Sequence, residues 1–184
     1  MEHAPHILCV NPWIHDFAAY DFWSKPLGLL TLAARLRQHR CKVSYVDCLD
    51  RFHPRMPPTD PSARCGRGPF LKTRIPKPDV FKNIPRHYCR YGIKPAWMRE
   101  NLTALPKPDL VLVTSILTYW YPGVRETIDV VRDVYGDLPV ILGGVYATLY
   151  KEHSLRFSGA DRVVGGTGES RLFELIDEFT DHQI

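Results

Sequence analysis

Pro108-Asp109-Leu110-Val111-Leu112-Val113-Thr114-Ser115-Ile116-Leu117-Thr118, a helical segment, then Pro139-Val140-Ile141-Leu142-Gly143-Gly144-Val145-Tyr146-Ala147-Thr148-Leu149: the fold of this 184-residue chain is read from this stretch. The runs 110–113 and 140–142 are too short for helices and too uniformly apolar for half-exposed strands, so they read as strands buried on both faces, the mark of a parallel sheet. Between them Val124, Ile128, Val131 and Tyr135 recur at spacings of four, three and four, one face of a helix crossing over the sheet. The unit is strand, helix, strand. Its strands end in small or hydroxylated residues, Thr114 and Ser115, then Gly143 and Gly144, at the carboxyl edge where open parallel sheets hold ligands.

Working outward, residues 6–10 form a first strand, 43–46 a second and 162–164 a fifth. A helix from Pro26, with Ser24 as the expected cap, carries Leu29, Leu30, Leu32, Ala33 and Leu36. A last amphipathic helix carries Leu172, Leu175, Ile176 and Phe179. Five strands alternating with helices specify an α/β domain with a doubly wound, flavodoxin-like (Rossmann-like) five-stranded parallel sheet, and residues 1–184 read as a single domain. The loop 13–25 holds five aromatic residues and the pair His15-Asp16; it is expected to pack over its own domain, a partner or a flat ligand. Asp47, after the second strand, reads first as a turn residue, and second as an acidic contact to a ligand hydroxyl.

Charge divides the chain. Residues 51–107 carry 13 Lys or Arg against 3 Asp or Glu, a local charge of +10, whereas the remainder carries −6. Extended to Pro108, the same segment holds 11 of the 16 prolines, which marks 51–108 as a basic, Pro-rich insertion without long helices. Basic residues interleaved with aromatics can bind single-stranded nucleic acid. No nucleic-acid motif accompanies them, so the expected partner of the insertion is the acidic body or another domain rather than nucleic acid. The five cysteines lie 32, 7, 17 and 24 positions apart, which fits neither a zinc knuckle nor a disulfide framework; Cys9 and Cys48 read as small core residues. No apolar run approaches the roughly 20 residues of a membrane span, and no secretory signal opens the chain, so a cytoplasmic location is expected.

Three strand ends in a row finish with little side chain: Ser115, Gly143-Gly144, and Gly165-Gly166-Thr167-Gly168. Glycines admit close approach of a ligand to the backbone, and hydroxyls add directional contacts, so these ends are expected to line a groove for a flat ring or a nucleotide tail.

These residues resemble the cobalamin-binding domain at the amino terminus of B12-dependent radical S-adenosylmethionine (SAM) enzymes. The likeness rests on Lys25-Pro26-Leu27-Gly28-Leu29, Asp47, Pro108-Asp109-Leu110-Val111 before Ser115-Ile116-Leu117-Thr118, Val140-Ile141-Leu142-Gly143-Gly144 with Ala147-Thr148-Leu149, and Gly159-Ala160-Asp161 leading to Gly168-Glu169. It covers everything but the insertion. The resemblance places the dimethylbenzimidazole tail of cobalamin among Ser115, Leu117, Thr118, Gly143 and Gly144, with Val145, Gly166, Gly168, Glu169 and Asp47 as further cofactor contacts. Gly144→Leu is expected to abolish binding and leave the fold intact. The family's Asp-x-His-x-x-Gly loop is missing; His15 lies in the corresponding loop and is the candidate axial ligand to cobalt. The Cys-x-x-x-Cys-x-x-Cys triad that holds the iron–sulfur cluster is also missing. The chain is therefore expected to be a fragment that catalyses nothing alone, with SAM and the [4Fe-4S] cluster held by a radical SAM catalytic domain of the same polypeptide or of a partner chain.

The alternative is a B12-domain-like interaction module that no longer binds cobalamin, the aromatic loop and insertion filling the cleft. A flavin or nucleotide binder ranks last, because residues 11–25 contain no glycine for a phosphate loop. A response regulator is disfavoured by Thr114-Ser115 where a phosphoacceptor aspartate would stand.

Overall fold

A computed structural model describes residues 4–168 and 171–180. In chain order its strands and helices are β1 (His6–Asn11), β2 (Ile14–Asp16), β3 (Tyr20–Asp21), α1 (Leu27–Gln38), β4 (Lys42–Asp47), β5 (Gly68–Pro69), β6 (Lys72–Arg74), β7 (Cys89–Tyr91), α2 (Pro95–Thr103), β8 (Leu110–Val113), α3 (Tyr121–Tyr135), β9 (Val140–Leu142), α4 (Val145–Leu149), α5 (Lys151–Phe157), β10 (Arg162–Val163) and α6 (Leu172–Phe179). The main sheet has the order β10-β9-β8-β1-β4, parallel throughout, with Val10 opposite both Val46 and Val113. Counting only these five strands, the order is 2-1-3-4-5, that of the flavodoxin-like doubly wound fold. The fold expected from the sequence is the one observed.

Side chains alternate across each strand and divide the core in two. Leu8, Val10, Val111 and Val113 pack with Met98 and Leu102 of α2 and Val124, Ile128 and Val131 of α3. Ile7, Cys9, Leu110 and Leu112 point the other way, toward Leu29, Ala33 and Leu36 of α1 and Leu172, Leu175 and Ile176 of α6. Cys9 and Cys48 are fully buried, and burial pushes the Cys9 thiol up to about 12, so both are inert packing residues. The fourteen residues from Trp13 to Pro26 do not form a bare loop. Ser24 does not cap α1, which starts after Pro26 with no side-chain cap; Ser24 is exposed, and Lys25 instead donates its backbone N–H to Trp23.

The segment 51–108 divides at Lys94. Its second part contains α2, the crossover helix between β4 and β8, whose Met98 and Leu102 have no exposed surface. Its first part builds two small antiparallel sheets with the loop after β1: β2-β7-β6, and β3 with β5. The joint to the body is made by backbone and charge together. Trp13 is buried and donates its indole N–H to the Ile93 carbonyl at 2.7 Å, and Ile93 donates its own N–H to Cys48. Arg51 reaches Asp21 at 3.5 Å, both nearly fully buried, and the Arg51 guanidinium also donates to the carbonyls of Gly66 and Arg67. On α3, Glu126 accepts from His15 at 2.7 Å and from Arg90 at 2.5 Å, and Asp133 pairs with Arg99.

Glu126 makes the joint sensitive to acid. Burial alone would raise its carboxyl; the His15 hydrogen bond and the Arg90 charge outweigh burial and hold it below the ordinary carboxylate value. A carboxyl depressed on folding contributes stability above its unfolded value, about 4.3, and that contribution is lost as pH falls through the folded value. Urea unfolding followed from pH 7 to pH 3 is therefore expected to show an acid limb that Glu126→Gln flattens; an unchanged limb in that variant would assign the acid sensitivity to other carboxylates.

Candidate functional site

The carboxyl ends of β8, β9 and β10 open on one side into a groove of about 180 Å³ between the sheet and the helix pair α1 and α6. Gly28 and Leu32 of α1 form one wall and Leu172 and Leu175 of α6 another; Leu112 and Ile141 form the floor, and Thr114, Gly143, Gly144, Gly166, Thr167 and Gly168 the mouth. The lining is mostly apolar. Its volume lies below the roughly 300–1,000 Å³ of sites that enclose a whole drug-sized ligand, so the groove has room for a single flat ring or a chain end, with the rest of a larger ligand outside.

The glycines divide by what they permit. A Cβ added at Gly28 or Gly166 would meet nothing within 4 Å, and one at Gly143 only the Val164 carbonyl at 3.8 Å, so these residues leave open space. Gly144 is different. Its φ of +89° and a Cβ position 2.4 Å from the Ser115 carbonyl oxygen show a close backbone crossing between two strand ends. The expectation that Gly144→Leu spares the fold is therefore corrected: the added side chain collides with backbone, and the variant is a test of folding rather than of binding.

Ser115 is not part of the groove lining and borders a separate small hollow instead. Its hydroxyl donates to the Gly143 carbonyl at 3.0 Å and accepts from the Tyr146 N–H at 3.1 Å, pinning the end of β8 to the turn after β9. Ser115→Ala leaves both partners without this contact in a buried place, at a cost of about 2 kcal/mol. A shift of the denaturant midpoint without a change of slope is the expected reading, and a cost near zero would show that the two strand ends hold each other by backbone alone.

The structure brings together Gly143, Gly144, Gly166 and Gly168 of the residues singled out in the sequence. Leu117 lies in a separate small hollow beside Trp13, Leu49 and Trp120, and Thr118 in a shallow recess of Tyr119, Tyr121, Tyr146, Tyr150 and His153. Val145 opens α4, is 42% exposed, and donates its N–H to the Ser115 carbonyl. Asp47 is spent on the turn after β4: one oxygen accepts from Asn11 Nδ2 at 2.8 Å and from the Leu49 N–H at 2.9 Å. Glu169 lies outside the described residues. His15 is in β2, which packs against α3 on the far side of the sheet from the groove, with its Nε2 bonded to Glu126. Among the described residues no group of three or more His, Cys, Asp or Glu is placed to hold a metal ion.

Sequence reasoning missed Leu32, Leu172 and Leu175, and gave Gly28 no role of its own. A glycine in an otherwise apolar helix face, with nothing packed on it, was the available signal. It also missed the aptitude of Thr114, whose side chain makes no hydrogen bond to any described residue and stands at the groove mouth. Thr148 completes the rim, accepting from the Gly166 N–H at 3.0 Å and donating to the Gly144 carbonyl at 2.9 Å.

The groove thus lies at the carboxyl edge of a sheet of flavodoxin-like order, the place where folds of this order hold their ligands. Residues 93–176 match the family model described as B12 binding domain. Anaerobic magnesium-protoporphyrin IX monomethyl ester cyclase from Rubrivivax gelatinosus is 32% identical over 80 residues, 43% of this chain and 14% of that protein. A crystal structure described as a novel cobalamin-binding protein from Desulfitobacterium hafniense DCB-2 aligns with a TM-score of 0.47 at 14% identity, covering 96% of this chain and 59% of that one. The chain thus spans only part of each relative. No helix among the described residues is long and apolar enough to cross a membrane.

Proposed function

We propose that this chain is the cobalamin-binding module of a larger B12-dependent radical SAM enzyme, a methyltransferase or a related one. The observation that carries the reading is the groove itself: a narrow apolar slot opened by glycines at the carboxyl edge of a flavodoxin-like sheet, inside a segment that matches the B12 binding domain. The groove fits the flat dimethylbenzimidazole end of cobalamin, because the space where Gly28, Gly143 and Gly166 lack side chains is open and its walls are aliphatic. Leu32, Leu172 and Leu175 exclude water from that end, and Thr114 offers its hydroxyl to the polar atoms that follow it. Bound cobalamin supplies a cobalt centre for methyl transfer or radical chemistry, and the protein supplies position and environment.

Outside the groove the same edge is strongly aromatic. Trp23 and Phe22 before α1, Tyr119 after β8 and Tyr150 after α4 are each more than half exposed. Such a surface suits the apolar face of a macrocycle and a catalytic domain closing over it. Axial ligation of cobalt is not assigned to His15, whose Nε2 is committed to Glu126. SAM and the [4Fe-4S] cluster are assigned to the catalytic domain, since Cys9, Cys41, Cys48 and Cys89 are buried separately and Cys65 alone is exposed.

Incubation of the chain with hydroxocobalamin, followed by desalting, tests the proposal. Retained corrin absorbance in a near-equimolar amount is expected. Complete loss would favour the interaction module that no longer binds the cofactor.

A further inference from the structure

The insertion holds a second cavity, of about 340 Å³, at the neck of the chain segment that joins β6 to β7. Arg74, Lys77, Arg86 and His87 line it, with Tyr88 at its base, and no acidic residue does. Four other cations of the insertion and α2 are paired with carboxylates: Arg51 with Asp21, Arg55 with Glu100, Arg90 with Glu126 and Arg99 with Asp133. The cations of the cavity meet no carboxylate. Lys77 donates to the Ile84 carbonyl, Arg86 to the Phe17 carbonyl at 3.5 Å, and the Arg74 side chain has no partner among the described residues.

Three like charges around one hollow repel one another, and a bound anion with several oxygens would relieve that repulsion while accepting the unused N–H donors. Pro76, Pro78 and Pro85 fix the backbone of the segment, so little ordering entropy remains to oppose binding. We propose that this cavity binds a small multivalent phosphate, such as a pyrophosphate or phosphate-ester group. Arginine forks match phosphate oxygens in pairs, and two of the three cations here are arginines. A nucleic-acid strand is the weaker fit: the Tyr88 ring is buried, edge-on to His15 and Phe17, with its hydroxyl on the His15 carbonyl, so it offers no face for base stacking. The cavity shares no residue with the groove between α1 and α6.

Calorimetric titration with inorganic pyrophosphate at low ionic strength tests the proposal, with citrate as a carboxylate arm. One saturable site is expected, weakened about tenfold by Arg74→Ala and abolished by Arg74→Glu, with citrate binding more weakly. Arg74 holds no other group, so circular dichroism and corrin retention should not change in either variant. Lys82→Ala, on the same segment and outside the cavity, should leave the affinity as it is. Absence of saturable binding, an equal loss in Lys82→Ala, or citrate binding as tight as pyrophosphate would each overturn the proposal.

Discussion

Gly28→Phe is expected to abolish retention of cobalamin while the domain stays folded. Gly28 sits in the first turn of α1 on the groove wall, and an added Cβ meets no atom within 4 Å, so a ring there grows into the slot without displacing backbone. The residue has an ordinary helical backbone, and replacing glycine in a helix removes an entropic cost on folding rather than adding one. Burying an aromatic ring of about 150–250 Å² at roughly 25 cal/mol per Å² is worth about 4–6 kcal/mol before the costs of binding. Filling the slot should therefore weaken cobalamin by about a hundredfold or more. Equilibrium titration followed by corrin absorbance, beside a thermal melt of the same sample, checks both halves. Wild-type affinity in a folded Gly28→Phe protein would place the tail elsewhere.

Gly92→Ala is expected to give the largest loss of stability among small substitutions at the joint between the insertion and the sheet. Gly92 follows β7 with φ of +120°, and an added Cβ would lie 2.0 Å from the Cys48 carbonyl oxygen and 2.9 Å from the Trp13 ring. Its N–H donates to Leu71, and the next residue, Ile93, donates to Cys48, so the backbone cannot move aside without giving up hydrogen bonds. Backbone strain and overpacking, each about 1–3 kcal/mol, add to a cost of about 3–5 kcal/mol. For a domain of this size that lowers the melting temperature by about 10 °C. Calorimetry reads it directly; a fall of only a degree or two would mean that the insertion yields easily and is not clamped to the sheet.

The three central strands β1, β8 and β9 were legible because each is a short run buried on both faces, and α3 because Val124, Ile128 and Val131 repeat on one face. The crossover helix α2 was hidden inside a proline-rich, basic stretch: Pro95 opens it, Pro106 follows it, and only Met98 and Leu102 of its nine residues are fully covered. The small sheets were invisible for another reason. Strands of two or three residues, such as β3 and β5, carry no periodicity, and their pairing depends on where the body holds the two chain segments.

The groove was half legible. Glycines after β9 and β10 marked its mouth, because a strand end without side chains is visible in sequence. Ser115 and Leu117 do stay together, but away from the groove: both border the small hollow with Trp13 and Leu49. The walls came from α1 and α6, whose leucines are ordinary core residues until the helices are placed. Thr114, the strand-end hydroxyl beside Ser115, is the one that faces the open space.

In the proposed function the groove receives the nucleotide tail of cobalamin. The most direct measurement compares retention of hydroxocobalamin with that of cobinamide, which has the same corrin but no benzimidazole tail, on the purified chain after desalting. The groove account predicts that cobalamin stays and cobinamide washes away. Equal retention of the two would show that the corrin alone carries binding and that the slot between α1, α6 and the sheet serves another purpose.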